Sequence, residues 1–325
     1  MANIPEGVKN ISIIPSIKEY LINQGKVRDT YRLPYGDDSL LLLCATDRLS
    51  IFDFVLNALV PDKGEILTTL TEFWFTEILA EFPNHLMSSI AYPGKNYASD
   101  LKEIFSDIPL NRCLAVEEVE IPPYEMIFRH HLGGSVFKEY QETGKAGGQK
   151  LPGGLPRWSY LDQPLFTPST KSKDGHDANI SASDYYEAMG EKGRESVIMF
   201  KDAYTKAYTF AREKGILILD TKFEGLDIIA DEVLTPDSSR FTTVEDWRKA
   251  MLEKREPIFY DKEVVRQWGK TVKTPFGTTG IHMLWPKNPE HVAFVHGLEV
   301  PAEIIEETSR RYLEIFYRLT TSLRE

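Results

Sequence analysis

The run from Ile216 to Glu224, ILILDTKFE, joins an apolar strand pattern to three charged residues of alternating sign. Every second side chain of a strand shares a face, so Asp220, Lys222 and Glu224 point the same way. Opposite charges where a buried strand emerges are costly unless they pair or bind something. After Gly225 the return segment DIIADEVL carries Asp231 and Glu232. Only one of these two can join Glu224, and the loop register decides which. Two carboxylates and a lysine suit Mg²⁺, a hard cation that takes one or two carboxylates together with phosphate oxygens. A Lys–Glu–Asp surface network on a hairpin has the same composition.

Other segments offer anion chemistry. In GKVRDTYRL, Lys26, Arg28 and Arg32 line one strand face beside Gly25, so two cations about 7 Å apart can hold adjacent phosphates. FRHHLGGSVFKEY puts Arg129 at a strand end and Gly133-Gly134-Ser135 at a helix start, where free backbone N–H groups attract anions. TPDSSR, residues 235 to 240, is a turn with two hydroxyls followed by Arg240, whose fork matches carboxylate or phosphate. The polar stretch STKSKDGHDANIS offers Lys171, Lys173, His176, Asp177 and Asn179, and equally reads as a flexible connection ending in a helix cap. His130 and His131 point to opposite faces of their strand, with no other ligand-spaced cluster, and read as structural. There is no Walker A pattern, G-x-S-x-G, HExxH or Rossmann fingerprint, which disfavours serine hydrolases, zinc enzymes and dehydrogenases.

The elements that must position these residues follow from periodicity and punctuation. KVRDTYRL and SLLLLCAT form a hairpin about Pro34–Asp38; TDRLSIFDFVLNALVPDKG reads as loop, strand and turn; residues 65 to 81 have helical spacing. CLAVEEVEI is a strand stopped by Pro122-Pro123, and YEMIFRHHL another. Residues 144 to 182 are a long Gly/Pro/Lys-rich loop, a length that marks function or disorder. A helix follows over 183–214, stopped by Gly215, then a second hairpin and a helical last third whose final helix starts near Pro301.

The chain has 325 residues, enough for two domains, with an ordinary globular composition of 42% hydrophobic and 27% charged residues. Its 38 basic and 49 acidic residues give a net charge of −11, which disfavours nucleic acid and anionic membranes but leaves room for a small anionic ligand in a locally basic cleft. The longest apolar run, Leu40 to Ala45, is far short of a membrane span, and the first twenty residues lack a secretory pattern. The 2 cysteines, Cys44 and Cys113, make no disulfide framework in a chain this size and point to reduced thiols and a cytoplasmic location.

Taken in order over residues 25 to 241, GKVRDTY, TDRLSIFD, FRHHLGGSVFKEY, GGQKLPGGL, FTPSTKSKDGHDANIS and LDTKFE…DEVLTPDSSRF resemble the phosphoribosylaminoimidazole-succinocarboxamide synthase (SAICAR synthetase) family, in its longer form. The resemblance implies a purine-biosynthesis ligase that joins L-aspartate to the carboxylate of carboxyaminoimidazole ribotide (CAIR), converting ATP to ADP and phosphate. It implies that Lys26 and Arg28 hold ATP phosphates, helped by Asp220; that Lys222 sits by the transferring phosphoryl group; and that Glu224 with Asp231 binds Mg²⁺. Arg129, Ser135 and Arg240 would hold the ribotide's phosphate and neighbouring groups. His176, Asp177 and Asn179 would belong to an active-site loop, without individual roles assigned, and the same holds for Asp47, Arg48, Ser50 and Asp53. Two departures stand out: Gly133 replaces the family's small Ala or Thr, and KFEGLD lacks the aromatic before glycine, which alters the turn that sets Asp231's register.

The expected architecture is α+β: a β-rich nucleotide-covering domain over 1–123, and a substrate- and Mg-binding domain over 124–325 with the C-terminal helices packed on it. The cleft between them would hold the nucleotide. The 144–182 loop would close over the site to keep an acyl phosphate from water. The rivals are a kinase-like phosphotransferase, which needs no amine, and a non-catalytic nucleotide-binding module.

Overall fold

Alternating apolar residues build the first sheet. In the computed structural model, which describes residues 2–9, 13–35, 38–87, 106–171 and 178–321, β1 (Leu21–Gln24), β2 (Arg28–Tyr35), β3 (Asp38–Ala45) and β6 (Cys113–Val116) form an antiparallel sheet in the order β1-β2-β3-β6. Tyr31, Leu33, Leu40, Leu42, Cys44, Cys113 and Ala115 all face one core with Ile14 and Ile17, as period-two alternation requires. β4 (Arg48–Ile51) and β5 (Phe54–Leu59) form a separate hairpin turned by Phe52 and Asp53, both at positive φ.

Chain contacts divide the protein into two units. The first contains Met1–Glu72, His85–Glu118 and Lys262–Glu314; the second contains Phe73–Asn84, Val119–Asp261 and Ile315–Glu325. The C-terminal helices, expected on the second domain, are divided: Lys262–Glu314 groups with the first unit and the chain from Ile315 with the second. Val265 of the Glu263–Thr271 helix, Val292 and Val295 of the Pro289–His296 helix, and Ile281 share a core with Leu49, Ile51, Phe54 and Leu56 of the β4–β5 hairpin. One hairpin cannot bury its apolar face alone, and helices distant in sequence cover it.

The second unit is built on β13 (Ile216–Gly225), whose ILIL run is buried throughout. It pairs antiparallel with β7 (Tyr124–His131), β14 (Ile229–Ala230) and β15 (Ser239–Thr243). β7 in turn pairs with β10 (Tyr160–Phe166) and β11 (Ser169–Thr170), and β11 pairs with β12 (Ala178–Asn179). The Ala182–Glu213 helix starts at a capping box of Ser181 and Asp184 and buries Val197, Phe200, Tyr204 and Ala207. The Tyr204 hydroxyl donates to Ile218 O at 2.8 Å and accepts from His130 N at 3.0 Å, tying this helix to both central strands.

Residues 144–182 are therefore no free loop. The hairpin β8–β9 (Lys145–Ala146, Gln149–Lys150) and strands β10 to β12 interrupt their described part, so the stretch is not one continuous loop. All but β10 are only two residues long, and β10 and β11 are ordered by pairing with β7, whereas β8 and β9 pair with each other. CLAVEEVEI is likewise a strand only over Cys113–Val116, and the return strand after Gly225 has just two residues.

Candidate active site

Antiparallel register brings the charges of the second unit together. Asp220 lies directly opposite Arg129 on β7 and Arg240 on β15. Its Oδ2 accepts from Arg129 Nη1 at 2.8 Å and from Arg240 Nη1 at 2.6 Å. Arg129 is buried and also donates from Nε to Thr167 Oγ1 at 2.9 Å and from Nη1 to Gly133 O at 3.0 Å. Burial pulls the Arg129 pKa down and Asp220 works against that, so one carboxylate stabilises two guanidiniums and the trio keeps a net positive charge. Asp220, expected on the nucleotide side, bonds both arginines.

The start of the Ser135–Thr143 helix meets the same place. Gly134 caps it at φ 64, and a Cβ there would lie 3.0 Å from Arg240 Nη1 and 3.5 Å from Arg129 Nη1. A glycine is needed both for the left-handed backbone and for this approach. Ser135 donates to Asn179 Oδ1 at 3.2 Å. Arg129, Ser135, Asn179, Asp220 and Arg240 thus converge on one electropositive helix start. Gly133 also has its reason: a Cβ there would fall 2.0 Å from the Trp158 ring, so the indole fills the space where the family's larger residue would stand. The Arg240 guanidinium lies over that ring at 5.9 Å. Trp158, missed in the sequence, belongs to this wall; its only signal was an aromatic following GGLPR.

Two residues along β13, Lys222 Nζ donates to Glu125 Oε1 at 3.0 Å and Glu224 Oε1 at 3.4 Å. Lys171 pairs with the other oxygen of Glu224, and Ser169 Oγ donates to Glu125 Oε2 at 3.0 Å. Burial disfavours the Lys222 charge, but the carboxylates of Glu224, Glu125 and Asp231 outweigh it and hold the amine protonated beyond the usual lysine range. Glu125 was not foreseen. The charge sits in YEMIFRHHL, and only the β7–β13 register, which sets Lys222 opposite Ile127, brings Glu125 two residues along the same face within reach of it.

The altered turn is resolved as well. Gly225 sits opposite Ile229 at φ 128, where a Cβ would lie 2.0 Å from Ile228 O. Glu224 faces Ala230, and Asp231 then leaves the ladder at φ 63, with its carboxylate within the electrostatic reach of Lys222. Among the described residues, no group of three or more His, Cys, Asp or Glu side chains forms a ready metal cage. Glu224 and Asp231 nonetheless offer the oxygen donors that Mg²⁺ takes, and a cation arriving with phosphates requires no more from the protein. The donor set fits.

Elsewhere the histidines are structural, as expected. His130 Nδ1 meets Leu161 O at 2.9 Å, while His131 meets Trp158 O and the Tyr208 hydroxyl, and burial pushes its pKa down to about 3. Ser238 and Ser239 are buried and engaged with Thr235 and Thr221, while Arg240 is half-buried and turned to Asp220. His176 and Asp177 lie outside the described residues.

In the first unit, Lys26 precedes β2 and pairs with Asp53, half-exposed, at the tip of the β4–β5 turn. Arg48, fully buried, bonds Asp29 at 2.6 Å and also the carbonyls of Gly25 at 3.0 Å and Lys26 at 3.2 Å. It shapes the turn that presents Lys26 and Arg28. Asp47 is occupied by Gly64 N and Arg112, and Ser50 is buried within β4.

A two-arginine anion seat and a lysine set among carboxylates, at neighbouring positions of one strand in an α+β scaffold, are the equipment of a group-transferring enzyme that acts on anionic substrates. Comparison narrows the class. The SAICAR synthetase family model matches residues 21–280. The phosphoribosylaminoimidazole-succinocarboxamide synthase of Thermodesulfovibrio yellowstonii is 37% identical over 321 residues, 97% of this chain and 100% of that protein. The SAICAR synthase of Saccharomyces cerevisiae, solved in complex with SAICAR, superposes with a TM-score of 0.73 at 33% identity, over 93% of this chain and 95% of that one. A SAICAR synthetase solved with ADP shares the fold at a TM-score of 0.59 and 20% identity, over 93% of this chain and 99% of that one. The chain belongs to the SAICAR synthetase family, ligases of purine biosynthesis. Among the described residues, no helix is long and apolar enough to cross a membrane.

Proposed function

We propose that this chain joins L-aspartate to the carboxylate of CAIR with conversion of ATP to ADP and phosphate, in the cytoplasm. The observation that carries the reading is the adjacency on β13 of the Asp220–Arg129–Arg240 seat and the Lys222–Glu125–Glu224 cluster. Positions two apart on a strand lie about 7 Å from one another, the scale that separates two ends of one small substrate.

A carboxylate at neutral pH is a poor acyl donor and must be activated. In the proposed route it attacks the γ-phosphoryl group, and the amine of aspartate then displaces phosphate. Phosphoryl transfer demands positioning and charge neutralisation rather than covalent chemistry from the protein. Arg129, Arg240 and the Ser135 helix start hold the ribotide phosphate, while Lys26 and Arg28 hold ATP phosphates. Lys222, fixed as a cation by its carboxylates, stabilises the charge that develops on the transferring group. Glu224 and Asp231 would hold Mg²⁺, which when bound neutralises nucleotide phosphates.

ADP release is measured with ATP and CAIR, with and without aspartate. Release that needs aspartate and yields the succinocarboxamide supports the ligase. Equal release without the amine would mean a phosphotransferase, and binding of ATP without turnover on any acceptor would mean a non-catalytic module.

A further inference from the structure

The chain's 2 cysteines take no part in the chemistry above, yet the fold sets them face to face. Cys44 on β3 and Cys113 on β6 are direct cross-strand partners, and both side chains enter the core that contains Tyr31, Leu42 and Ala115. Their Sγ atoms are 2.8 Å apart, inside the roughly 3.5–4.0 Å at which unbonded heavy atoms rest. Directly opposed residues of an antiparallel pair have Cα atoms about 4.5–5.5 Å apart, within the span a disulfide bridges, so a bond needs side-chain rotation and no strand movement.

We propose that Cys44 and Cys113 are a redox-modifiable pair that closes to a reversible intrachain disulfide and staples β3 to β6. The residues joined are 69 apart in sequence, and the closed loop contains the β4–β5 hairpin and the Lys63–Phe73 helix. A cross-link over that length removes much of the freedom of the unfolded chain. The bond would lie directly behind Asp29, which faces Cys44 across the β2–β3 ladder and anchors Arg48 beneath the Gly25–Arg28 turn. The staple would therefore set the rigidity of that turn.

Both thiols are buried, and burial together with the neighbouring thiol pushes the Cys44 pKa up, so little thiolate exists at neutral pH. Closure is correspondingly slow and needs a local opening, because β6 is held by β3 on one side and by the His85–Met87 backbone on the other. With diamide as oxidant, one thiolate adds to the N=N bond; the second attacks that sulfur, forming S–S and releasing the hydrazine. Two S–H bonds are lost, and their two protons and two electrons pass to the diazene.

Fully reduced native protein is incubated with diamide, quenched by alkylation in denaturant, and mapped by peptide mass spectrometry without reduction. The expected result is a single Cys44–Cys113 linked species two hydrogens lighter, joint loss of both titratable thiols, and a Tm several degrees higher that reverts with dithiothreitol. Cys44→Ser and Cys113→Ser should each keep one titratable thiol and show no diamide-dependent shift. The wild-type measurement decides even if those variants fold poorly. Two thiols that still titrate after prolonged native oxidation, or cross-links only between molecules, would overturn the proposal. So would a linked species with an unchanged or lowered Tm.

Discussion

Replacing Asp220 by Asn tests the anion seat at its centre. The substitution keeps size and one acceptor oxygen but removes the charge that lies between Arg129 and Arg240. Both Nη1 atoms are within 2.8 Å of one oxygen, so they stand no more than about 5.5 Å apart. At an effective dielectric of roughly 20, two like charges at that separation repel by about 3 kcal/mol. Arg129 is nearly fully buried and cannot escape, whereas the Arg240 side chain is 26% exposed and relieves part of the strain by moving outward. A net loss of about 2–3 kcal/mol is expected, in line with removal of one partner from a buried ion pair. With a urea m-value of roughly 3 kcal/mol/M, the unfolding midpoint should fall by about 1 M without a change in m. Inorganic phosphate, which restores negative charge between the guanidiniums, should stabilise the variant more than the wild type. A midpoint within about 0.2 M of wild type, or phosphate stabilisation no larger than in wild type, would refute the reasoning.

Three further outcomes follow from the same geometry. Lys222→Ala should retain the fold, since Glu224 keeps Lys171, while ADP release falls by at least about a hundredfold; near-normal turnover would remove Lys222 from the mechanism. Gly133→Ala drives a Cβ into Trp158 and should cost about 1–3 kcal/mol in urea unfolding, with Trp158→Leu in the same chain recovering part of it. Burial pushes the His131 pKa down to about 3 from the ordinary histidine value of 6.5, so the unfolded chain binds the extra proton between those pH values. Stability from this group is complete above pH 6.5 and is lost progressively as pH falls toward 3, by about 5 kcal/mol in all; His131→Gln should flatten the urea midpoint's pH dependence over that window.

Local pattern was enough for much of this protein. Period two set Asp220, Lys222 and Glu224 on one face, helical spacing and Gly215 bounded the 182–213 helical segment while its break at Gly190 went unread, and a glycine pair before Ser135 marked the helix start that meets two arginines. Such features depend on neighbours in sequence, and alternation or capping reads them directly. What only the tertiary structure decided involves partners far apart in the chain. Glu125 reaches Lys222 across 97 residues, Cys44 meets Cys113 across 69, Trp158 takes the space left by Gly133, and β10 and β11 form where β7 offers them a partner. Helices from Lys262 onward cover the β4–β5 hairpin because that hairpin has an apolar face to bury. Strand register and the choice of covering helix are settled by which long-range burial has the lowest free energy, and no local run of residues encodes that comparison.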